Sequence, residues 1–214
     1  MTISLADHIY NGLRKKLIHG EFMPGTLLSE NELAAEFGMS RTPVRTALSR
    51  LETEGYVVSL KNRGILVKEV SGKEILDMFE VIVSFQIYTA EIVTQRESGF
   101  DVAELEEELR KQQKATEAGD YAAYLEHTHQ FTSIYLSAAN NQSMLTIMDS
   151  FKDKLTMAAI VNYKRTPHQK HFSASRMNEE LMEAIKAGDY DRLKQRVLQG
   201  FAALRERAFR EGRF

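Results

Sequence analysis

Residues 28–51 read Leu28-Ser-Glu-Asn-Glu-Leu-Ala-Ala-Glu-Phe-Gly-Met-Ser-Arg-Thr-Pro-Val-Arg-Thr-Ala-Leu-Ser-Arg-Leu51, and their spacing decides the fold of the first third of the chain. Two short amphipathic helices are expected, joined by a tight turn at Phe37-Gly38-Met39-Ser40. Ser29 is placed to cap the first helix, with Glu32 in the capping-box position and Leu33, Ala34 and Phe37 on its buried face. The second helix opens at Ser40, with Pro43 in its first turn, where a missing N–H does no harm. Val44, Leu48 and Leu51 recur at helical spacing and face inward, so Arg41, Thr42, Arg45 and Ser49 face outward. No acidic residue separates Arg41, Arg45 and Arg50. A capped helix with an apolar back and a basic front is what entry into a DNA major groove requires.

On the amino-terminal side, Leu5, Ile9, Leu13 and Leu17 form the stripe of a preceding helix that Gly20 ends, and Met23-Pro24-Gly25 makes a turn. On the other side, Gly55 stops the basic helix. Residues 56–60 and 64–70 then read as two strands around Lys61-Asn62-Arg63-Gly64, a hairpin with a basic tip. Three helices and a two-stranded wing make a winged helix-turn-helix. Within it, Arg41 and Arg45 lie one turn apart and are the candidates for base contact, because arginine meets guanine bidentately. Ser40 and Thr42 suit phosphate or thymine-methyl contact, and Lys61 and Arg63 suit the minor groove or flanking phosphates. Ser49, Arg50 and Gly64 complete the candidate DNA-contacting set.

The formal charge of the 214 residues is −2, so any nucleic-acid surface has to be local. The absence of cysteine excludes disulfides, zinc-thiolate sites and thiol catalysis, and it fits a reducing cytoplasm. No apolar run approaches the roughly 20 residues of a membrane span, and the first residues lack the basic start and long apolar stretch of a secretory signal. A cytoplasmic location is expected.

Seven of the twelve glycines and two of the three prolines precede residue 73, after which Leu, Ile, Ala, Glu and Lys dominate at helical spacing. The boundary is therefore placed near Val70-Ser71-Gly72-Lys73, giving a DNA-reading domain over 1–70 and an all-helical domain over 71–214. Six helices are expected in the second part, over 72–97, 101–118, 119–139, 141–163, 170–187 and 189–211. Several breaks set a helix stop against an Asp or Asn that can start the next helix. The fold class is thus mainly α: a winged helix-turn-helix of three helices plus a β-hairpin, then an antiparallel bundle of about six helices.

The text Pro24-Gly25, Leu28 through Ala34, Phe37 through Leu48, Arg50-Leu51-Glu52, Glu54-Gly55-Tyr56 and Arg63-Gly64 resembles the GntR family of bacterial transcription factors, almost continuously over residues 9–70. That resemblance implies a first domain that binds a palindromic operator as a dimer, with Arg41, Thr42, Arg45 and the wing around Arg63-Gly64 at the usual contact positions. Asn31 stands where the family often has a basic contact residue. The second half is similar to the FadR-type effector domain (FCD domain), on the strength of Phe131 through Asn141 and Glu183 through Asp189, and its six helices look more like the shorter VanR-type version.

Many FadR-type domains hold a divalent metal with one Asp and three His. Counted from Asn141, Ala184-Ile185 and Gly188-Asp189, those positions fall here on Thr128, Thr132, Asn178 and Gly200, none of them a good ligand. No metal or other cofactor is therefore expected; His127 or His129 would be the candidates if the register were shifted by one, and a pair formed by His168 and His171 is the other arrangement open. Thr128, Thr132 and Asn178 can instead bond an organic ligand, or the threonines can satisfy their own helix carbonyls. Gln86, Tyr135 and Arg196 join the candidate effector set, and Tyr88 and Tyr163 could also line a pocket.

The expected protein is a homodimeric DNA-binding regulator, a metabolite-responsive repressor whose effector is an organic acid or another small metabolite. The alternative is a helical domain that only dimerises. An enzyme housed in that domain is the remote alternative, since the chain shows no nucleotide-binding glycine loop and no clear carboxylate–histidine constellation.

Overall fold

The computed structural model describes residues 4–96 and 99–211. Helix α1 (Leu5–Ile18) begins where the Ser4 hydroxyl accepts the amide of Asp7 at 3.1 Å. Ile9, Leu13 and Leu17 are fully buried, but Leu5, grouped with them by its spacing, is 62% exposed because it sits on the first turn, beyond the packed stripe. After α1 the chain turns at Met23–Thr26, where the Thr26 amide reaches the Met23 carbonyl at 3.0 Å and Gly25 has φ of 91°. Proline followed by a left-handed glycine is the signature of a type II turn.

That turn launches a short strand, β1 (Leu27–Leu28), which the sequence reading did not foresee. Helices α2 (Glu30–Phe37) and α3 (Arg41–Thr53) follow, joined through Gly38 in the left-handed conformation. Strands β2 (Val57–Leu60) and β3 (Gly64–Val67) form the expected hairpin, with Val57 opposite Val67 and Leu60 opposite Gly64. β1 pairs antiparallel with the other edge of β3, Leu28 opposite Ile65, giving the order β1-β3-β2. Two residues are too short for a period-two pattern to show, so β1 exists by virtue of the turn before it and the edge it meets. Gly64 is confined by that pairing: its φ is 99°, and a β-carbon there would stand 2.9 Å from the Leu28 carbonyl oxygen.

The core under the sheet and helices takes Ile9, Leu13, Leu17, Leu33, Val44, Leu48, Leu51, Val57, Ile65 and Val67. Each such side chain contributes about 1.5–3 kcal/mol when fully buried. Met157 and Val161 join the same cluster. The compact amino-terminal unit therefore comprises the described residues up to Ser71 together with Thr156–Arg165, a segment that belongs by sequence to the second half of the chain. Met157 and Val161 are four apart and share one helix face, while Lys164 donates to the carbonyls of His19 and Gly20, both at 2.9 Å, at the carboxyl end of α1. A cation suits that end of a helix dipole.

The helical unit holds Gly72–Leu155 and the described residues from Thr166 onward. Its elements are α4 (Gly72–Gln95), α5 (Val102–Ala118), α6 (Tyr121–Ser137), α7 (Gln142–Arg165, whose last turns belong to the first unit), α8 (Ala174–Lys186) and α9 (Tyr190–Glu211). These match the six expected segments to within a few residues; the expected reach of the first to residue 97 lies outside the described residues. The Asp starts work as read: Asp101, Asp120 and Asp189 accept the amides of Glu104, Ala123 and Arg192 at 2.9, 3.0 and 2.9 Å. Gly119 and Gly188 sit in the left-handed conformation just before two of them. Helix α8 starts differently. Its Ser173 makes no side-chain capping bond, and the Ala174 amide donates instead to the Tyr124 hydroxyl of α6 at 2.7 Å.

Candidate nucleic-acid interface

Helix α3 buries Val44, Ala47, Leu48 and Leu51 and leaves Arg41, Thr42, Arg45, Thr46, Ser49 and Arg50 exposed. A shallow open depression runs along this face, lined by Thr42, Arg45, Thr46, Ser49, Arg50, Thr53 and Glu54. Neither Ser29 nor Ser40 makes the side-chain capping bond expected of it; each occupies the N-cap position through extended backbone alone. For Ser40 the consequence is an exposed hydroxyl at the start of the basic helix.

The two expected base-reading arginines share a partner. Arg45 donates through Nε to Oε1 of Glu30 at 3.0 Å and through Nη2 to Oε2 at 2.9 Å, while Arg41 donates through Nη2 to the same Oε2 at 3.0 Å. The bonds from Arg45, then those from Arg41, hold the Glu30 carboxyl down at about 2. Arg50 is engaged differently: it lies 3.7 Å over the Tyr10 ring and within 3.3 Å of Glu54 and 3.4 Å of Asp7. Tyr10 in turn donates to Glu54 at 2.7 Å, and burial followed by that bond pushes its hydroxyl up to about 12. Arg50 therefore ties α3 to α1, whereas Arg41 and Arg45 project from the front.

At the wing, Lys61, Asn62, Arg63 and Gly64 are all exposed, and Asn62 takes the left-handed conformation at φ of 61°. The turn closes with the Arg63 amide on the Leu60 carbonyl at 3.0 Å. Gly64, named among the contact candidates, has a sufficient structural reason in its fit against Leu28.

In the helical unit the candidate effector residues fall into separate groups. Thr128 and Asn178 are brought together by Gln112, which donates to the Thr128 hydroxyl at 2.6 Å and accepts from Asn178 Nδ2 at 3.1 Å. Gln112 is fully buried. Thr128 and Thr132 also donate to the carbonyls of Tyr124 and Thr128, at 2.7 and 3.1 Å, so both threonines bond their own helix. Gln86 and Tyr135 make another pair, the buried tyrosine hydroxyl donating to the Gln86 main-chain carbonyl at 3.0 Å; burial pushes the pKa of that phenol well above its ordinary value. Arg196 is directed to Gln199 at 3.1 Å and Glu180 at 3.7 Å. At Gly200 a β-carbon would stand 2.6 Å from the Met177 sulfur, so the Met177 thioether packs directly on that backbone.

The histidines diverge. His127 meets the Glu108 carboxylate at 2.8 Å, while burial, reinforced by Lys152, depresses His129 to about 4. His171 is buried on the Thr166 carbonyl at 2.7 Å, and His168 is exposed. Among the described residues, no group of three or more His, Asp or Glu side chains could hold a metal ion.

Two residues were missed by the sequence reading. Glu30 gave no signal, because its partners lie 11 and 15 residues away on another helix. Gln112 did give one: Leu105, Glu108, Leu109, Gln112 and Ala115 form a single helical stripe, so two polar residues lie in an inward row.

Residues 5–67 match the family described as bacterial regulatory proteins, gntR family, and residues 77–202 match the FCD domain. The Nta operon transcriptional regulator of Aminobacter aminovorans is 29% identical over 154 residues, covering 70% of this chain and 72% of that protein. The gluconate operon transcriptional repressor of Bacillus licheniformis is 27% identical over 192 residues, covering 88% of this chain and 79% of that protein. A crystal structure of a putative GntR transcriptional regulator from Rhodococcus sp. RHA1 shares the fold with a TM-score of 0.75 at 20% identity, over 95% of this chain and 97% of that one. The winged amino-terminal unit and the helical unit that follows it in sequence place this chain in the gntR family of bacterial transcription regulators, in the branch that carries an FCD domain.

Proposed function

We propose that this DNA-binding regulator acts as a homodimer on a palindromic operator, with α3 of each protomer in the major groove of one half-site and the β2–β3 wing beside it. The observation that carries this reading is the exposed face of α3, where Arg41 and Arg45 stand one turn apart on a helix whose other side is buried. Arg41 and Arg45 read base edges; Ser40, Thr42 and Ser49 position the helix on the backbone; Lys61 and Arg63 take flanking phosphates or the minor groove. Arg50 serves chiefly to hold α3 on α1.

The helical unit supplies dimerisation and takes a small organic metabolite, and the regulator works in the cytoplasm as a repressor that the metabolite releases. A relative named as a gluconate operon repressor supports that sign. The ligand acts only through unequal affinity for the DNA-competent and released arrangements, since equal affinity shifts no equilibrium. No resident metal and no catalysis are part of this reading. A second reading, in which the unit dimerises and binds nothing, is favoured by one observation: Gln112 already joins Thr128 and Asn178.

Selection of duplexes from a random pool, with light scattering of the complex, tests the DNA reading. The expected product is an inverted repeat with half-sites about 10 base pairs apart, or a multiple of that, bound by two chains. A single half-site bound by one chain would overturn it. Thermal-shift screening of organic acids, sugar acids, acyl esters and divalent ions separates the two readings of the helical unit. A ligand at a hundred times its Kd stabilises by about 2.7 kcal/mol, whereas a unit that only dimerises responds to none.

A further inference from the structure

The contact between Glu30 and the two arginines has a direction that bears on specificity. A guanidinium offers two bidentate edges, one formed by Nε and Nη2 and one by the two terminal nitrogens. Glu30 takes the Nε–Nη2 edge of Arg45, at 3.0 and 2.9 Å, so the terminal edge faces away from the carboxylate. That terminal edge is the one that can lie along O6 and N7 of a guanine. Through Oε2 the same carboxylate also takes Arg41 Nη2 at 3.0 Å, fixing two arginines one helical turn apart. The Arg41 and Arg45 side chains are 58% and 65% exposed, whereas Glu30 is only 22% exposed. Glu30 thus stands behind the arginines and leaves their tips in solvent.

We infer that Glu30 is a specificity-determining positioning residue: it orders Arg45 for end-on contact with a base and tethers Arg41 beside it, while its charge weakens sequence-independent attraction to phosphate. The inference rests on the reading that these arginines face the bases. Pre-ordering a long side chain removes part of the entropic cost of binding. The negative charge acts on the other side of the balance, because non-specific affinity comes almost wholly from neutralised phosphates. Both effects widen the gap between operator and random DNA.

The test uses the full-length protein with the duplex enriched from a random pool by the wild type, and a scrambled duplex of equal length. Glu30→Gln keeps the size but removes the charge and the ionic clamp; Glu30→Asp keeps the charge but withdraws it by one methylene. Both variants are expected to lose operator selectivity by about tenfold, the size expected from freeing two arginine side chains. Only Glu30→Gln should also bind the scrambled duplex more tightly. Relaxed preference should concentrate at guanine positions. Glu30 lies in the first turn of α2 and also stabilises that helix end, but a purely structural role would lower Tm and leave the selectivity ratio intact. Equal tightening on both duplexes with Glu30→Gln would reduce Glu30 to a mere charge and overturn the inference. So would unchanged selectivity in both variants. A wild type that enriches no sequence is a different result: it overturns the base-reading assignment itself and the clamp with it.

Discussion

The two units use polar side chains in opposite ways. Where α2 meets α3, three charged groups come together at the surface, and the half-buried carboxylate of Glu30 orders two solvent-facing arginines of α3. In the helical unit, Gln112, Thr128 and Asn178 meet inside and satisfy one another. Exposed ion pairs contribute about 0–1 kcal/mol each, so the first arrangement adds little to stability while its free arginine tips stay open to a nucleic acid. A buried donor left without a partner costs about 1–3 kcal/mol, so the second resists rearrangement. The same chemistry therefore makes a docking surface in one unit and a fixed core in the other.

The comparison breaks most directly at Gln112. Gln112→Ala removes the bridging amide, leaves Asn178 without its acceptor and opens a void, so urea unfolding should show a loss of about 2–4 kcal/mol. A loss below about 1 kcal/mol would mean that water takes the amide's place readily and that the core is not fixed. Arg45→Ala is the counterpart on the surface. It should weaken operator binding by about 1–3 kcal/mol and relax base preference, with stability changed by no more than about 0.5 kcal/mol. Equal weakening on unrelated duplexes would show that Arg45 touches only phosphate.

A graded effect comes from His129, whose folded value near 4 lies below the ordinary histidine value of 6.5. Between those values the unfolded chain binds a proton that the folded one refuses. Stability is then fully present above pH 6.5 and falls as pH drops toward 4. Melting curves at pH 7 and pH 5 should show the loss, and His129→Gln should flatten it; an unflattened curve would assign the loss to other groups. The smallest effect is expected at the wing. Lys61→Ala should lower the salt dependence of binding by about one counterion without changing base preference, and an unchanged slope would take Lys61 out of the contact set.

What could be read in advance follows the range of the interactions. The helices and the Asp starts were legible because they depend on neighbours within four residues, and the hairpin because its strands pair across one short turn. The α3 face was legible because one period sorts its arginines from its leucines. β1 was not, since two residues carry no period and its partner lies almost forty residues on. Nor was the membership of Thr156–Arg165 in the first unit, because Met157 and Val161 show which face is apolar and not what it meets. In the helical unit the count-back to Thr128 and Asn178 did find two residues that meet. The residue between them, Gln112, stood in an inward row and was passed over, while Arg196, named for the effector set, has Gln199 and Glu180 as its partners.

The start of α8 is written in α6. Because the Ala174 amide rests on the Tyr124 hydroxyl, the first turn of α8 cannot fray alone in the way a helix end capped by its own serine can. Asn178, one turn further on, is held from the same side through Gln112. In native-state hydrogen exchange the amide of Ala174 should therefore be retained as long as the interior of α6, marking the two helices as one cooperative opening unit.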